Sequence, residues 1–287
     1  MANIILGTVQ FGLAYGINNQ SGKPSENTVF QILQQAGNLG IDTLDTADAY
    51  GNAITLIGKF HKENETRFKV NTKFIGTDYT SIYSELERSL EVLGIASVET
   101  LFYHSYKDYA AAPQLIGELQ KLKTKGLVNR IGLSVYSNTE FETAINDAGI
   151  DVIQLPFNLL DNYRRRKKYL QLAKAKQKQI QVRSVFLQGL FFKNINELPE
   201  VLVPLKPYLQ KLYSIAEEAK ISMESLCLRY VNSHPEIDGL IIGVDNVDQL
   251  NSNFVQMTTL PEEFCRMIDE IEVKETELLY PYNWNKA

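Results

Sequence analysis

Short apolar runs rich in β-branched residues recur along this chain, separated by longer stretches in which apolar residues return every three or four positions. The runs Ile4–Thr8, Ile41–Asp45, Phe68–Lys73, Glu99–His104, Val128–Ser134, Asp151–Gln154, Ile180–Ser184 and Gly239–Gly243 predict eight strands. Helical spacing predicts helices over Glu26–Leu39, Ala53–His61, Ser81–Leu93, Pro113–Lys125, Thr139–Ala148 and Arg166–Gln177, with Pro207–Ala219 and Ser222–Ser233 ahead of the last strand. Strands this apolar need cover on both faces, which points to a parallel sheet. Eight strand-then-helix units close such a sheet into a (β/α)8 TIM barrel, an α/β fold. The alternative is an open doubly wound sheet. That fold would carry Gly-x-Gly-x-x-Gly after its first strand, and Gly7-Thr-Val-Gln-Phe-Gly12 lacks the spacing.

Composition narrows the picture. With 287 residues and 44% hydrophobic content the chain can bury one large core. No linker or low-complexity tract divides it, so residues 1–287 are expected to form a single domain. The net charge of -5 gives no general attraction to nucleic acid or to an anionic membrane, which leaves small solutes as the expected partners. No apolar run reaches the length of a membrane span and the first residues lack a signal-peptide pattern, so a cytoplasmic location is expected. Cys227 and Cys265 match neither a disulfide framework nor metal-ligand spacing and read as reduced thiols on helix faces.

The predicted strands end in Thr8, Asp45, Lys73, His104, Ser134, Gln154, Ser184 and Gly243, nearly all polar, at the rim where barrel enzymes gather their chemistry. Asp45-Thr-Ala-Asp-Ala-Tyr50-Gly51 places a carboxylate at a strand end with a phenol close behind it. Lys73 ends the third run and His104 the fourth. The types, order and spacing of Asp45, Tyr50, Lys73 and His104 resemble the active-site tetrad of the aldo-keto reductases.

That resemblance implies NAD(P)H-dependent reduction of an aldehyde, ketone or sugar carbonyl, reversible with the alcohol. Hydride addition leaves charge on the carbonyl oxygen, so a proton must arrive as that charge develops. Tyrosine is a poor acid at neutrality. An ammonium about 4 Å away favours its phenolate by about 4 kcal/mol at an effective dielectric near 20, which makes Lys73 the expected partner of Tyr50. Burial would discharge the lysine and Asp45 opposes that loss, while His104 can orient the substrate oxygen. The other histidines lack such neighbours: His61 reads as part of a solvated helix end and His234 as a loop residue before Pro235.

The resemblance extends over almost the whole chain. Ile131-Gly-Leu-Ser134 and Val152-Ile-Gln154-Leu-Pro-Phe-Asn158 look like the family's fifth- and sixth-strand motifs, which implies that Ser134 and Gln154 hold the nicotinamide carboxamide. Val135 stands where relatives usually have asparagine. Gly7 and Thr8 fall at the cofactor end of the first strand. Arg183-Ser184-Val-Phe186-Leu-Gln188-Gly189 resembles the seventh-strand segment and its pyrophosphate loop, with Arg183 placed against the nicotinamide. Ile242-Gly243 through Gln249 to Asn253 looks like the segment that holds the adenosine half. Relatives preferring NADP usually carry lysine or arginine there; this chain offers Gly243, Asp245 and Gln249, which predicts weak discrimination or a preference for NAD(H).

Two further readings bear on the substrate. Arg164-Arg-Arg-Lys-Lys168 reads as a solvated helix start, or else as a basic cluster steering a phosphorylated or nucleotide-linked sugar to the barrel mouth. The aromatic tail Leu278–Trp284 could fold over the pocket or pack on the outer helices. A cofactor-binding, redox-sensing or interaction module with little turnover is the alternative function. A metal-dependent barrel hydrolase would need several His and carboxylate ligands at the strand ends, where only His104 and Asp45 qualify.

Overall fold

The computed structural model describes residues 2–19 and 21–284. Its strands are β1 (Asn3–Gly7), β2 (Thr43–Asp45), β3 (Lys69–Phe74), β4 (Val98–Tyr103), β5 (Val128–Ser134), β6 (Val152–Pro156), β7 (Gln179–Arg183) and β8 (Gly239–Gly243). All pair in parallel, in chain order, and β8 returns to β1 to close the barrel. The TIM-barrel expectation therefore holds, and the open sheet is excluded. Thr8, His104 and Ser184 sit one residue beyond their strands rather than within them.

Two of the crossover helices illustrate the local chemistry. In Glu26–Asn38 the Ser25 side chain caps the first turn by accepting from the Thr28 amide, and Val29, Ile32, Leu33 and Ala36 form the buried stripe. Tyr79–Leu93 begins on an Asp78 cap and stops at Gly94, whose φ of 64° is the left-handed stop that glycine takes without strain. Inside the barrel, Phe102 lies opposite Gly132, and its ring fills the space that a side chain at 132 would need.

Several sequence expectations are corrected here. Two helices follow β8, Val247–Val255 and Glu262–Asp269, where none was predicted, and a short one spans Tyr106–Ala111. His61 is not solvated: it is buried, with Nδ1 2.8 Å from the Leu93 carbonyl and Nε2 accepting from the Phe68 amide. His234 is buried too, stacked on Tyr163 and edge-on to Phe157 and Tyr230. The basic run does open a helix, Tyr163–Ala175, with Arg164, Lys167 and Lys168 exposed as expected, but Arg166 is not solvated. Arg166 is fully buried, paired with Asp161 at 2.6 Å and donating to the Tyr136 carbonyl and the Asn138 side chain; Arg165 and Arg164 reach Asp161 and Glu272. Arg165 and Arg166 are thus tied to the scaffold, while Arg164, Lys167 and Lys168 lie exposed on the helix surface. Cys227 and Cys265 are free thiols, both buried. Among the described residues no helix is long and apolar enough to cross a membrane, and no group of three or more His, Cys, Asp or Glu is placed to hold a metal ion.

Candidate active site

The parallel barrel sends every strand's C-terminal end to one rim, so residues far apart in sequence converge there. Every catalytic and cofactor candidate read from the sequence lines a single cavity of about 1070 Å³. Pockets for small ligands run from about 300 to 1,000 Å³, so this one can take more than a small substrate.

Its most constrained part is an ion pair. Lys73 on β3 and Asp45 at the end of β2 are 3% and 4% exposed, and Lys73 Nζ lies 2.5 Å from Asp45 Oδ1. Nζ also donates to the Thr46 carbonyl at 3.1 Å. The second carboxylate oxygen accepts from Gln154 Nε2 at 2.8 Å, and the Asp45 main-chain carbonyl is held by both the amide and the hydroxyl of Thr8. Burial is the largest influence on Lys73 and works to discharge it, but Asp45 and Tyr50 together outweigh it and hold the ammonium's pKa above its ordinary value. A buried pair of this kind stands only because its remaining hydrogen-bonding capacity is met.

Tyr50 brings its ring to 5.2 Å from Lys73 Nζ, centroid to nitrogen. Its place is fixed by backbone contact as well as by packing against the apolar cluster that includes Phe11, Leu44 and Ile57. A Cβ on Gly12 would lie 1.7 Å from the Tyr50 carbonyl oxygen, and Gly51, at φ 57°, packs back on the Gly12 carbonyl. The two glycines let the turn after β2 lie directly on the segment after β1. His104 stands edge-on to Tyr50, ring centres 6.4 Å apart. Burial, then the nearby Lys73 and Arg183 charges, lower its pKa, so the ring is neutral at pH 7. Its Nδ1 is buried and has no partner among the described residues.

The cofactor candidates divide by how they are occupied. Gln154, which gives its amide to Asp45, keeps a buried Oε1 without a partner, an acceptor suited to an amide donor such as a carboxamide. Ser134 pairs with Gln154 in the β5–β6 register and is buried beside it. Thr8 uses its hydroxyl on Asp45. The segment after β7 is tightly coiled: Ser184, Leu187 and Gln188 have φ of 60°, 46° and 56°, with Gly189 at 87°. Non-glycine residues in this region cost on the order of 1 kcal/mol or more each and gather at ligand clamps. The Gln188 carbonyl accepts from the Ile17 amide, and its side chain donates to the Tyr15 hydroxyl. After β8, Gln249 bends back to accept from the Asp245 amide, while Asn253 is buried.

Arg183 lines the cavity with one face already occupied. Its guanidinium carbon lies 4.2 Å from the centre of the Tyr136 ring, so that ring already covers one side of it. Tyr136 is in turn positioned by the capping box of helix Asn138–Asn146, in which Glu140 accepts from the Tyr136 and Ser137 amides. Sequence reasoning missed Gln10, Tyr15, Tyr136, Asp248 and Glu224, which also line the cavity. They stand in loops and helix starts, where no periodicity marks them. The tail folds toward the pocket: the Trp284 indole is buried and donates to the Leu278 carbonyl, while Tyr282 meets Tyr136 edge-on at 4.9 Å.

The model of the Aldo/keto reductase family matches residues 3–273. An uncharacterized oxidoreductase, YqkF of Bacillus subtilis, is 22% identical over 272 residues, covering 86% of this chain and 88% of its own length. The NADP(+) aldo-keto reductase yakc of Schizosaccharomyces pombe is 25% identical over 178 residues, 55% of this chain and 52% of that protein. Among solved structures, the aldo-keto reductase AKR11C1 of Bacillus halodurans superposes with a TM-score of 0.75 at 19% identity, over 96% of this chain and 94% of its own. The glycerol dehydrogenase AKR11B4 of Gluconobacter oxydans gives 0.70 at 19% identity, over 93% and 90%.

Proposed function

The chain belongs to the aldo-keto reductase family and is an NAD(P)-dependent oxidoreductase acting on small carbonyl compounds; on that premise we propose that Tyr50 delivers the proton, with Lys73, Asp45 and His104 preparing it. One observation carries this reading: a buried, fully bonded Lys73–Asp45 pair faces Tyr50, with neutral His104 beside the phenol. When bound, the reduced nicotinamide supplies the hydride. As charge develops on the carbonyl oxygen, the Tyr50 hydroxyl protonates it, and the Lys73 ammonium stabilises the phenolate left behind. Asp45 keeps Lys73 charged despite burial. His104 is uncharged, so it positions the carbonyl oxygen and leaves the proton to Tyr50. In the reverse direction the phenolate accepts the alcohol proton.

Ser134 and the free Oε1 of Gln154 would hold the carboxamide, and the segments after β7 and β8 the rest of the dinucleotide. The cations lining the cavity among the described residues are Lys73 and Arg183, neither on the β8 segment; Asp245, Asp248 and Glu224 line it instead. A 2′-phosphate there would lack the charge-assisted bonds worth about 1.5–3 kcal/mol each and would meet carboxylates. This supports NAD(H) over NADP(H). Fluorescence titration is expected to give the lower Kd for NADH, and a tighter constant for NADPH would overturn the preference.

Tyr50→Phe tests the central assignment. In assays of cofactor oxidation at 340 nm with a panel of aldehydes, the variant is expected to lose about 10²- to 10⁴-fold in kcat while still binding cofactor. Undiminished turnover would refute the role of Tyr50. No turnover by either protein, with tight cofactor binding, would instead support a non-catalytic sensing module.

A further inference from the structure

We propose that Arg183 and the aromatic side chains around it form a subsite for an anionic group, carboxylate or phosphate, on the carbonyl substrate. This rests on the reductase reading above and adds the substrate class. A second cavity of about 290 Å³ shares Tyr15, Tyr136 and Arg183 with the main one and is walled elsewhere by Pro281, Tyr282 and Trp284. Aromatic rings line it together with the polar Ser184 and Gln188, and Arg183 is its one charged side chain among the described residues. Arg183 presents a permanent cation to this cavity, and none of the ion pairs among the described residues includes it.

A guanidinium carries five N–H donors. Arg183 makes two hydrogen bonds, to the Val135 carbonyl at 3.4 Å and Ser184 Oγ at 3.5 Å, both beyond the usual 2.7–3.2 Å range. Arg166 shows what a structural arginine looks like in this protein: every bond it makes is short, two of them to a carboxylate. Arg183 is instead held on one face by Tyr136, with donors left for a ligand. Bidentate capture of carboxylate or phosphate is what that planar fork does best. Arg183 also lines the main cavity together with Tyr50 and His104, so the subsite adjoins the reacting centre. No residue of the Arg164–Lys168 run lines either cavity.

Two substrate pairs separate the sources: 4-oxobutanoate against butanal, and glyceraldehyde 3-phosphate against glyceraldehyde. Wild type is expected to prefer one or both anions by about tenfold or more in kcat/KM, through KM, and the preference should shrink with added salt. In Arg183→Met the anion-to-neutral ratio should fall to about unity; Arg183→Lys should retain part of it, guarding against a folding defect. Calorimetry of 4-hydroxybutanoate and of inorganic phosphate with the NAD+-loaded protein reads the subsite without turnover. Reduction of neutral aldehydes with no anion preference, or a preference that survives in Arg183→Met, would overturn the subsite and leave the reductase reading intact. Anion binding lost in Arg183→Met, with no turnover of any carbonyl, would uphold the subsite and sink the reductase reading.

Discussion

Replacing Asp45 by Asn keeps the side chain's shape and removes its charge, and the hydrogen-bond pattern around it makes the outcome specific. Both carboxylate oxygens accept from a donor, Lys73 on one side and Gln154 on the other. An amide has one acceptor for those two donors. If Lys73 keeps it, the new NH2 faces Gln154 Nε2, and Gln154 must turn its amide over to restore a bond. Its Nε2 then points where the unpartnered Oε1 pointed before, which reverses the polarity offered to a carboxamide. The charge change is larger. Unit charges 2.5 Å apart attract by about 6–7 kcal/mol at an effective dielectric near 20. Breaking a buried pair costs about 3–5 kcal/mol in practice. In the wild type the folded-state pKa of Lys73 is raised, so its contribution is present throughout the physiological range and is lost only as pH rises through that raised value. Without Asp45, burial dominates and pulls the pKa down. Urea denaturation should register the 3–5 kcal/mol loss, pH–kcat profiles an alkaline limb displaced to lower pH, and fluorescence titration weaker NADH binding. A variant whose pH profile and cofactor affinity match wild type would refute the argument.

Other perturbations test the surroundings. Gly12→Ala forces a methyl against the Tyr50 main chain, where no side-chain rotation can relieve it; steady-state kinetics should show at least about a tenfold loss of kcat with a stability cost of about 1–3 kcal/mol, and wild-type rates would show that the contact does not position Tyr50. His234 is buried without a partner for Nε2, and burial pushes its pKa down to about 4. A lowered histidine pKa favours the fold above the ordinary value of 6.5, and that contribution disappears as pH falls from 6.5 toward 4, amounting to about 3 kcal/mol. Urea denaturation at pH 7, 5.5 and 4 should therefore show a shallower acid decline for His234→Phe than for wild type, and identical slopes would count against it.

The barrel and the convergence of Asp45, Tyr50, Lys73 and His104 were legible because both depend on local pattern. Apolar runs mark strands, and in a parallel barrel the end of every run reaches one rim. What sequence hid was pairing at a distance. Arg166 looks solvated within a basic run, yet its acceptors come from Asp161, Tyr136 and Asn138, and the loops and cap that present them. His61 looks like a polar helix end until the Leu93 carbonyl arrives from the next helix. Arg183 was placed near the nicotinamide by position in its strand; that Tyr136 would occupy one of its faces follows from a capping box on another helix. The helix Val247–Val255 is short, whereas Glu262–Asp269 does place Phe264, Cys265 and Ile268 at helical spacing, a signal the sequence carries.

The interlocked glycines also restrict how the cavity can open. Gly12 bears on the Tyr50 carbonyl, while Tyr15, a few residues on, lines the wall and is tethered to Gln188. Beyond Tyr15 the chain turns at Gly16, φ 104°, and the Ile17 amide returns to the Gln188 carbonyl, so the wall is pinned on both sides of Tyr15. The wall at Tyr15 and the proton donor are thereby built from one continuous stretch of contacts, Gly12 on one side and Gln188 on the other.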